Sequence, residues 1–96
     1  MTRLTVRLDF DEDRRLGPGK VALLEAIEAT GSITGAARAM GMSYRRAWTL
    51  LEATNALFTS PVAETAHGGR QGGGASLTSF GREVVTEFWF FSDELG

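Results

Sequence analysis

Residues 32–52 decide the fold: Ser32-Ile33-Thr34-Gly35-Ala36-Ala37-Arg38-Ala39-Met40-Gly41-Met42-Ser43-Tyr44-Arg45-Arg46-Ala47-Trp48-Thr49-Leu50-Leu51-Glu52. In the first half, Ile33, Ala36, Ala37 and Met40 recur at i, i+3, i+4 and i+7, which puts four apolar side chains on one helical face. Ser32 stands where an N-cap hydroxyl accepts from an orphan backbone N–H, and Gly41 stands where a left-handed residue ends a helix. The two alanines inside the stripe let another helix approach closely. Met42 reads as a buried bridge, and Ser43 caps a further helix expected to run to about Leu57. At about 100° per residue, Ala47, Leu50, Leu51, Thr54 and Phe58 share one sector. Arg45 and Thr49 point the opposite way, flanked by Arg46, Trp48 and Glu52.

A short helix with a small-residue seam, a glycine turn and a second helix with a basic first half form the pattern of a helix-turn-helix. In that arrangement the second helix enters a DNA major groove about 12 Å wide. Ser43, Tyr44 and Arg45 lie on its first turn, nearest the groove floor. A guanidinium at Arg45 can chelate guanine O6 and N7, worth about 1–3 kcal/mol of discrimination. Arg46 sits about 100° round the helix and faces a phosphate more naturally. Thr49 is placed for a thymine methyl or a phosphate oxygen. Trp48 either packs at the core edge or lies beside sugars at the groove wall, and Glu52 repels phosphates unless it accepts from a cytosine amine. The plainer alternative is an amphipathic surface helix whose two arginines are merely solvated.

Working outward, Leu4, Val6, Leu8 and Phe10 alternate with polar residues as in a half-buried strand, and Asp11 to Arg15 reads as a turn or hairpin tip. A helix is expected from Pro18 to Thr30 on the stripe of Val21, Leu24 and Ile27, widened by Leu23, with Gly31 as its left-handed cap. Downstream, residues 62–77 read as a wing: a strand at Val62 to Thr65, a return strand at Ala75 to Leu77, and between them a tip holding five of the chain's twelve glycines. Arg70 and Gln71 sit in that tip, where glycine permits close approach to a phosphate backbone and an arginine can enter a narrow minor groove. The spacing from Gly69 to Gly74 imitates a phosphate-binding loop, but Ala75 stands where that loop requires lysine, so nucleotide hydrolysis is excluded. Thr78 is the expected cap of a last helix over residues 79–95.

Composition bounds the rest. A chain of 96 residues with 43% hydrophobic and 23% charged residues is one globular domain. It has no cysteine and one histidine, His67, so thiolate metal sites and cysteine nucleophiles are excluded and no metal or cofactor is expected. A Ser–His–Asp set has no motif here, His67 reads as an exposed hairpin residue, and an enzyme is not expected. No apolar run reaches the roughly 18–20 residues of a membrane span, and no signal pattern opens the chain, so a cytoplasmic protein without membrane association is expected. The net charge is −2, yet residues 32–82 carry Arg38, Arg45, Arg46, Arg70 and Arg82 against only Glu52 and Glu64. An acidic average conceals a basic middle.

Several separate blocks resemble, in order, the molybdate-responsive ModE-type regulators. They are Leu16 to Leu24, Thr30 to Ile33, Ala36-Ala37, Met40 to Arg45, Ala47-Trp48, the glycine-rich tip and Leu77-Thr78 with Gly81-Arg82. The LysR-type helix-turn-helix is similar but less close. The resemblance covers roughly residues 16–85. It implies a mainly α fold with a small β-hairpin, a winged helix-turn-helix that dimerises through its terminal helix and regulates transcription. It also implies DNA contacts from Ser43, Tyr44, Arg45 and the wing arginine, here Arg70. Full-length members add a C-terminal oxyanion-binding domain, for which 96 residues leave no room. The expectation is a stand-alone DNA-binding module, with any oxyanion sensing supplied by a separate partner.

In the last helix Phe80, Val84, Phe88, Phe91 and Leu95 recur every three to four residues, and Val85, Trp89 and Phe90 widen the apolar sector beyond half the circumference. Four consecutive aromatics, Phe88 to Phe91, cannot all face one small core. Exposed apolar patches mark interfaces, so a two-fold homodimer is expected through Val84, Phe88, Trp89, Phe91 and Leu95. It would place two reading helices one DNA turn, about 34 Å, apart. The rival function, on the same fold, is a protein-interaction module that uses the aromatic helix or the wing without binding DNA.

Overall fold

The computed structural model describes residues 16–66 and 74–95, with side chains through Phe91. The expected strand at residues 4–10 and the glycine-rich tip lie outside this range. The described elements run α1 (Pro18–Thr30), α2 (Ile33–Met40), α3 (Tyr44–Asn55), β1 (Ala63–Thr65), β2 (Ala75–Leu77) and α4 (Ser79–Leu95). This is a mainly helical winged helix-turn-helix with a two-stranded antiparallel sheet. Helix α3 ends at Asn55, two residues earlier than the apolar pattern suggested, because Ala56 to Phe58 turn away through short backbone bonds from Leu57 to Thr54 and from Phe58 to Asn55.

Local signals and tertiary packing agree at each junction. Pro18 opens α1, and Gly31 closes it at φ 76°, its N–H bonded to the Ile27 carbonyl. The Ser32 hydroxyl accepts from the Gly35 N–H at 2.8 Å and starts α2. Gly41, at φ 68°, ends α2, and the Met42 N–H reaches back to the Ala37 carbonyl at 2.9 Å. The three helices enclose a core of Leu23, Leu24, Ile27, Ile33, Ala36, Ala37, Ala47 and Leu51. Ala36 and Ala47 are fully buried, so close α2–α3 contact follows from small side chains at the crossing.

The sheet closes the same core from the other side. Ala63 pairs with Leu77, Glu64 with Ser76 and Thr65 with Ala75. Inward-facing Ala63, Ala75 and Leu77 are buried, while Glu64 and Ser76 are exposed, as period-2 alternation requires. The Ala75 N–H donates to the Gly31 carbonyl at 2.9 Å, so β2 also bonds to the turn between α1 and α2. Thr78 caps α4 as expected: its hydroxyl accepts from the Gly81 N–H at 2.9 Å and donates to the Pro61 carbonyl at 2.8 Å. No helix among the described residues is long and apolar enough to cross a membrane.

Candidate nucleic-acid interface

The candidate surface begins at the start of α3. The Ser43 hydroxyl accepts from the Arg46 N–H at 3.0 Å, satisfying one orphan donor of the first turn. That role engages Ser43 in holding the helix end. On the inner face Ala47, Leu51 and Thr54 are buried, and the buried Thr54 hydroxyl is satisfied by the Leu50 carbonyl at 2.7 Å. The outer face presents Tyr44, Arg45, Arg46, Thr49 and Glu52, all exposed. Helix α3 is therefore clamped by its apolar side and free on its polar side.

Chemistry on that free side is uneven. Among the described residues, neither Arg45 nor Arg46 is drawn into an ion pair or a side-chain hydrogen bond, so both guanidinium groups keep their donors for a ligand. Thr49 differs: its hydroxyl donates to the Arg45 carbonyl at 3.1 Å. What it offers outward is a methyl group and acceptor lone pairs, which suits a thymine methyl better than a phosphate oxygen. Trp48 is half-buried against the core, and the Tyr44 ring meets it edge-on at 6.3 Å and 75°. Of the two readings of Trp48, core-edge packing is the one observed. Tyr44 remains 53% exposed, large enough to be a contact yet braced by a fixed neighbour. Arg38, on the last turn of α2, is also exposed.

Arg70, Gln71 and His67 lie outside the described residues. The base of the wing is described. The Ala66 N–H bonds the Gly74 carbonyl at 2.9 Å, one step beyond the ladder. Two side chains that the sequence reading did not single out hold the opposite end of the ladder, at Val62 and Leu77. Asn55 accepts from the Val62 N–H through Oδ1 at 2.7 Å. Glu28 accepts from the Leu77 N–H at 3.3 Å and from Arg82 Nε at 3.1 Å. The Arg82 hydrogen bond, then the Leu77 N–H, hold the Glu28 carboxyl below its ordinary value of 4.5. A long-range acceptor leaves no periodic signal, and only the position of Asn55 at the helix end, shortly before Pro61, hints at its role.

Helix α4 corrects one expectation. Val84 is 1% exposed and belongs to the chain's own core, so it is not offered to a second copy. It falls on the α4 face that meets α1 and the sheet, the same face as half-buried Phe80 and Phe88. Trp89, Phe90 and Phe91 are exposed by 41%, 58% and 45%. Trp89 is nevertheless anchored, its Nε1 donating to Glu25 Oε2 at 2.8 Å. The side chain of Leu95 lies outside the described residues. Among the described residues no group of three metal-ligating side chains converges.

Comparison with known proteins places these features among relatives. The chain is 47% identical over 74 residues, 77% of its length, to the molybdenum-pterin-binding protein MopB of Rhodobacter capsulatus. It is 40% identical over 89 residues, 91% of its length, to the molybdenum transport protein ModE of Azotobacter vinelandii. It is 38% identical over 68 residues, 71% of its length, to the DNA-binding transcriptional dual regulator ModE of Escherichia coli K12. It spans only 27%, 33% and 26% of those three proteins. No family model matches the chain.

Proposed function

From its homology to the ModE transcriptional regulators and Mop proteins over most of its own length, we propose that this chain is a sequence-specific DNA-binding module of a transcriptional regulator. Helix α3 reads the major groove with Tyr44, Arg45 and Thr49, Arg46 takes a phosphate, and Ser43 holds the first turn. Arg70 and Gln71 of the wing meet the minor groove or the backbone. The observation that carries this reading is the start of α3. Two guanidinium groups without partners among the described residues stand beside an exposed, braced tyrosine on a helix whose other face is locked into the core.

A second copy completes the site. Trp89, Phe90 and Phe91 form an exposed aromatic patch on α4, and a two-fold dimer through it, together with Phe88 and Leu95, doubles the number of reading helices. A place in the cytoplasm with the chromosome follows from the same reading. The molybdenum named for the relatives is assigned to a separate oxyanion-sensing partner.

Selection of bound duplexes from a random pool, with and without molybdate, tests the proposal. A consensus should emerge, its strength should fall steeply with salt, and molybdate should not change it. Arg45→Ala should relax one base position at a cost of about 1–3 kcal/mol. Binding with a log–log salt slope near zero would instead favour the protein-interaction module.

A further inference from the structure

Tyr44 is the first residue of α3, so no preceding turn of its own helix supports its side chain. Residues three and four positions on are its neighbours along the helix surface, and here these are Ala47 and Trp48. Ala47 is small and fully buried, so Trp48 is the neighbour on α3 with the reach to brace the ring. A helical side chain leans toward the N-terminus, over the preceding turn, which carries the indole to Tyr44. The two rings meet edge to face, 6.3 Å apart at 75°, the geometry of a favourable aromatic pair. Trp48 is itself half-buried and packed against the core. At about 100° per residue it lies between buried Leu51 and exposed Arg45. The indole therefore spans from the core to Tyr44, which stays exposed.

We infer that Trp48 is a positioning residue for base recognition. It holds the Tyr44 ring in the orientation that meets a base edge, and so sets the preference at one base pair without touching nucleic acid itself. The inference deepens the proposed DNA reading and rests on it. Arg45 and Thr49 are aimed outward by the helix itself, opposite its buried face, whereas Tyr44 stands at the flank and takes its direction from the indole. A side chain left free at the helix start has to be immobilised on binding, at a cost equivalent to about two- to tenfold in affinity. Held by Trp48 beforehand, the tyrosine escapes that cost. A leucine would fill the core edge at position 48, as Leu50 and Leu51 do nearby, but it has no ring to set against a tyrosine.

The test measures affinity for the duplex selected from the random pool and for its single base-pair variants. The proteins are the wild-type chain, Tyr44→Ala, Trp48→Leu, Trp48→Phe, and Tyr44→Ala combined with Trp48→Leu. Circular dichroism sets a temperature at which each is folded, and Trp48→Met replaces Trp48→Leu if the latter does not fold. Trp48→Leu should weaken binding to the selected duplex about two- to tenfold. It should relax the same base pair that Tyr44→Ala relaxes, and leave the preference at the pair read by Arg45 intact. In the Tyr44→Ala background, Trp48→Leu should have no further effect. Trp48→Phe, which keeps an aromatic ring, should restore both affinity and preference toward wild type. An unaffected Trp48→Leu, multiplying effects in the double variant, lost preference at the Arg45 pair, or a Phe variant no better than Leu would overturn the positioning role. So would a Tyr44→Ala variant that relaxes no base pair, which leaves the functional reading standing. A wild-type chain that binds no duplex at all overturns that reading, and the inference with it.

Discussion

Gly81→Ala is the sharpest test of how the wing and α4 are joined. Gly81 lies in the first turn of α4, buried against the backbone that leads into β1. A Cβ built there would run into the Val62 carbonyl, with the carbonyl carbon at 2.8 Å and Val62 Cα at 3.1 Å. The obstacle is backbone, so no rotamer change relieves it. Ala would favour the helix over Gly by about 0.5–1 kcal/mol. Against this, overpacking costs about 1–3 kcal/mol. Any shift of α4 also loosens the Thr78 N–H bond to the Val62 carbonyl and the Thr78 hydroxyl bond to the Pro61 carbonyl, at about 0.5–1.5 kcal/mol each. The balance is a loss of about 2–3 kcal/mol, which for a domain of this size lowers the melting temperature by roughly 10–20 °C. Gly19→Ala, whose Cβ would meet nothing within 4 Å, is the control and should leave the melting temperature unchanged or slightly raised. Thermal melts followed by circular dichroism decide it. A Gly81→Ala midpoint within about 2 °C of wild type, well under the shift expected from 1 kcal/mol, would refute the packing of α4 against Val62.

Three further outcomes follow from named contacts. Ser43→Ala removes the cap of α3 and should lower unfolding free energy by about 1 kcal/mol in urea titrations. Glu28 has its carboxyl held below 4.5 by Arg82 and Leu77, so its contribution is fully present above that value and is lost as pH falls through the lower folded value. The acid limb of a stability profile should therefore become shallower in Glu28→Gln. Phe90→Ser with Phe91→Ser should convert a dimer to a monomer in sedimentation at little cost in the monomer's stability, whereas Val84→Ala should cost about 2 kcal/mol whatever the oligomeric state.

The sequence told most about elements whose signal is local. The serine caps at 32 and 43, the glycines at 31 and 41, and the alanine seam at 36, 37 and 47 act within one or two turns. Their spacing predicted α1, α2 and the start of α3. Exposure of Arg45, Arg46 and Thr49 followed from the same helical period. What escaped depends on distance along the chain. Glu28 meets Arg82 across 54 residues, Trp89 meets Glu25 across 64, and Val62 meets Asn55 around a turn with no periodicity. Periodicity also could not divide the α4 aromatics. A helix apolar over half its circumference gives Val84 and Phe90 the same standing, and only the position of α1 and the sheet decides that Val84 is covered and Phe90 is not.

The acidic average of the chain is reconciled with the proposed DNA-binding surface by where the described carboxylates go. Glu25 and Glu28 sit one turn apart on α1 and accept from Trp89 and Arg82 of α4. They hold the molecule together on the side that bears the aromatic patch. On the outward side of α3 the only described acid is Glu52, about two and a half turns from the capped end, with Arg45 and Arg46 ahead of it. Screening over roughly 8–10 Å at ordinary salt means that a phosphate at the first turn of α3 feels those two guanidinium groups far more than acids elsewhere on the domain. Net charge therefore says little about binding at this face, while local charge says a great deal. Exchanging Glu52 for Gln should strengthen duplex binding a few-fold at low salt and little at high salt. Equal effects at both would mean that Glu52 contacts a base rather than repelling the backbone.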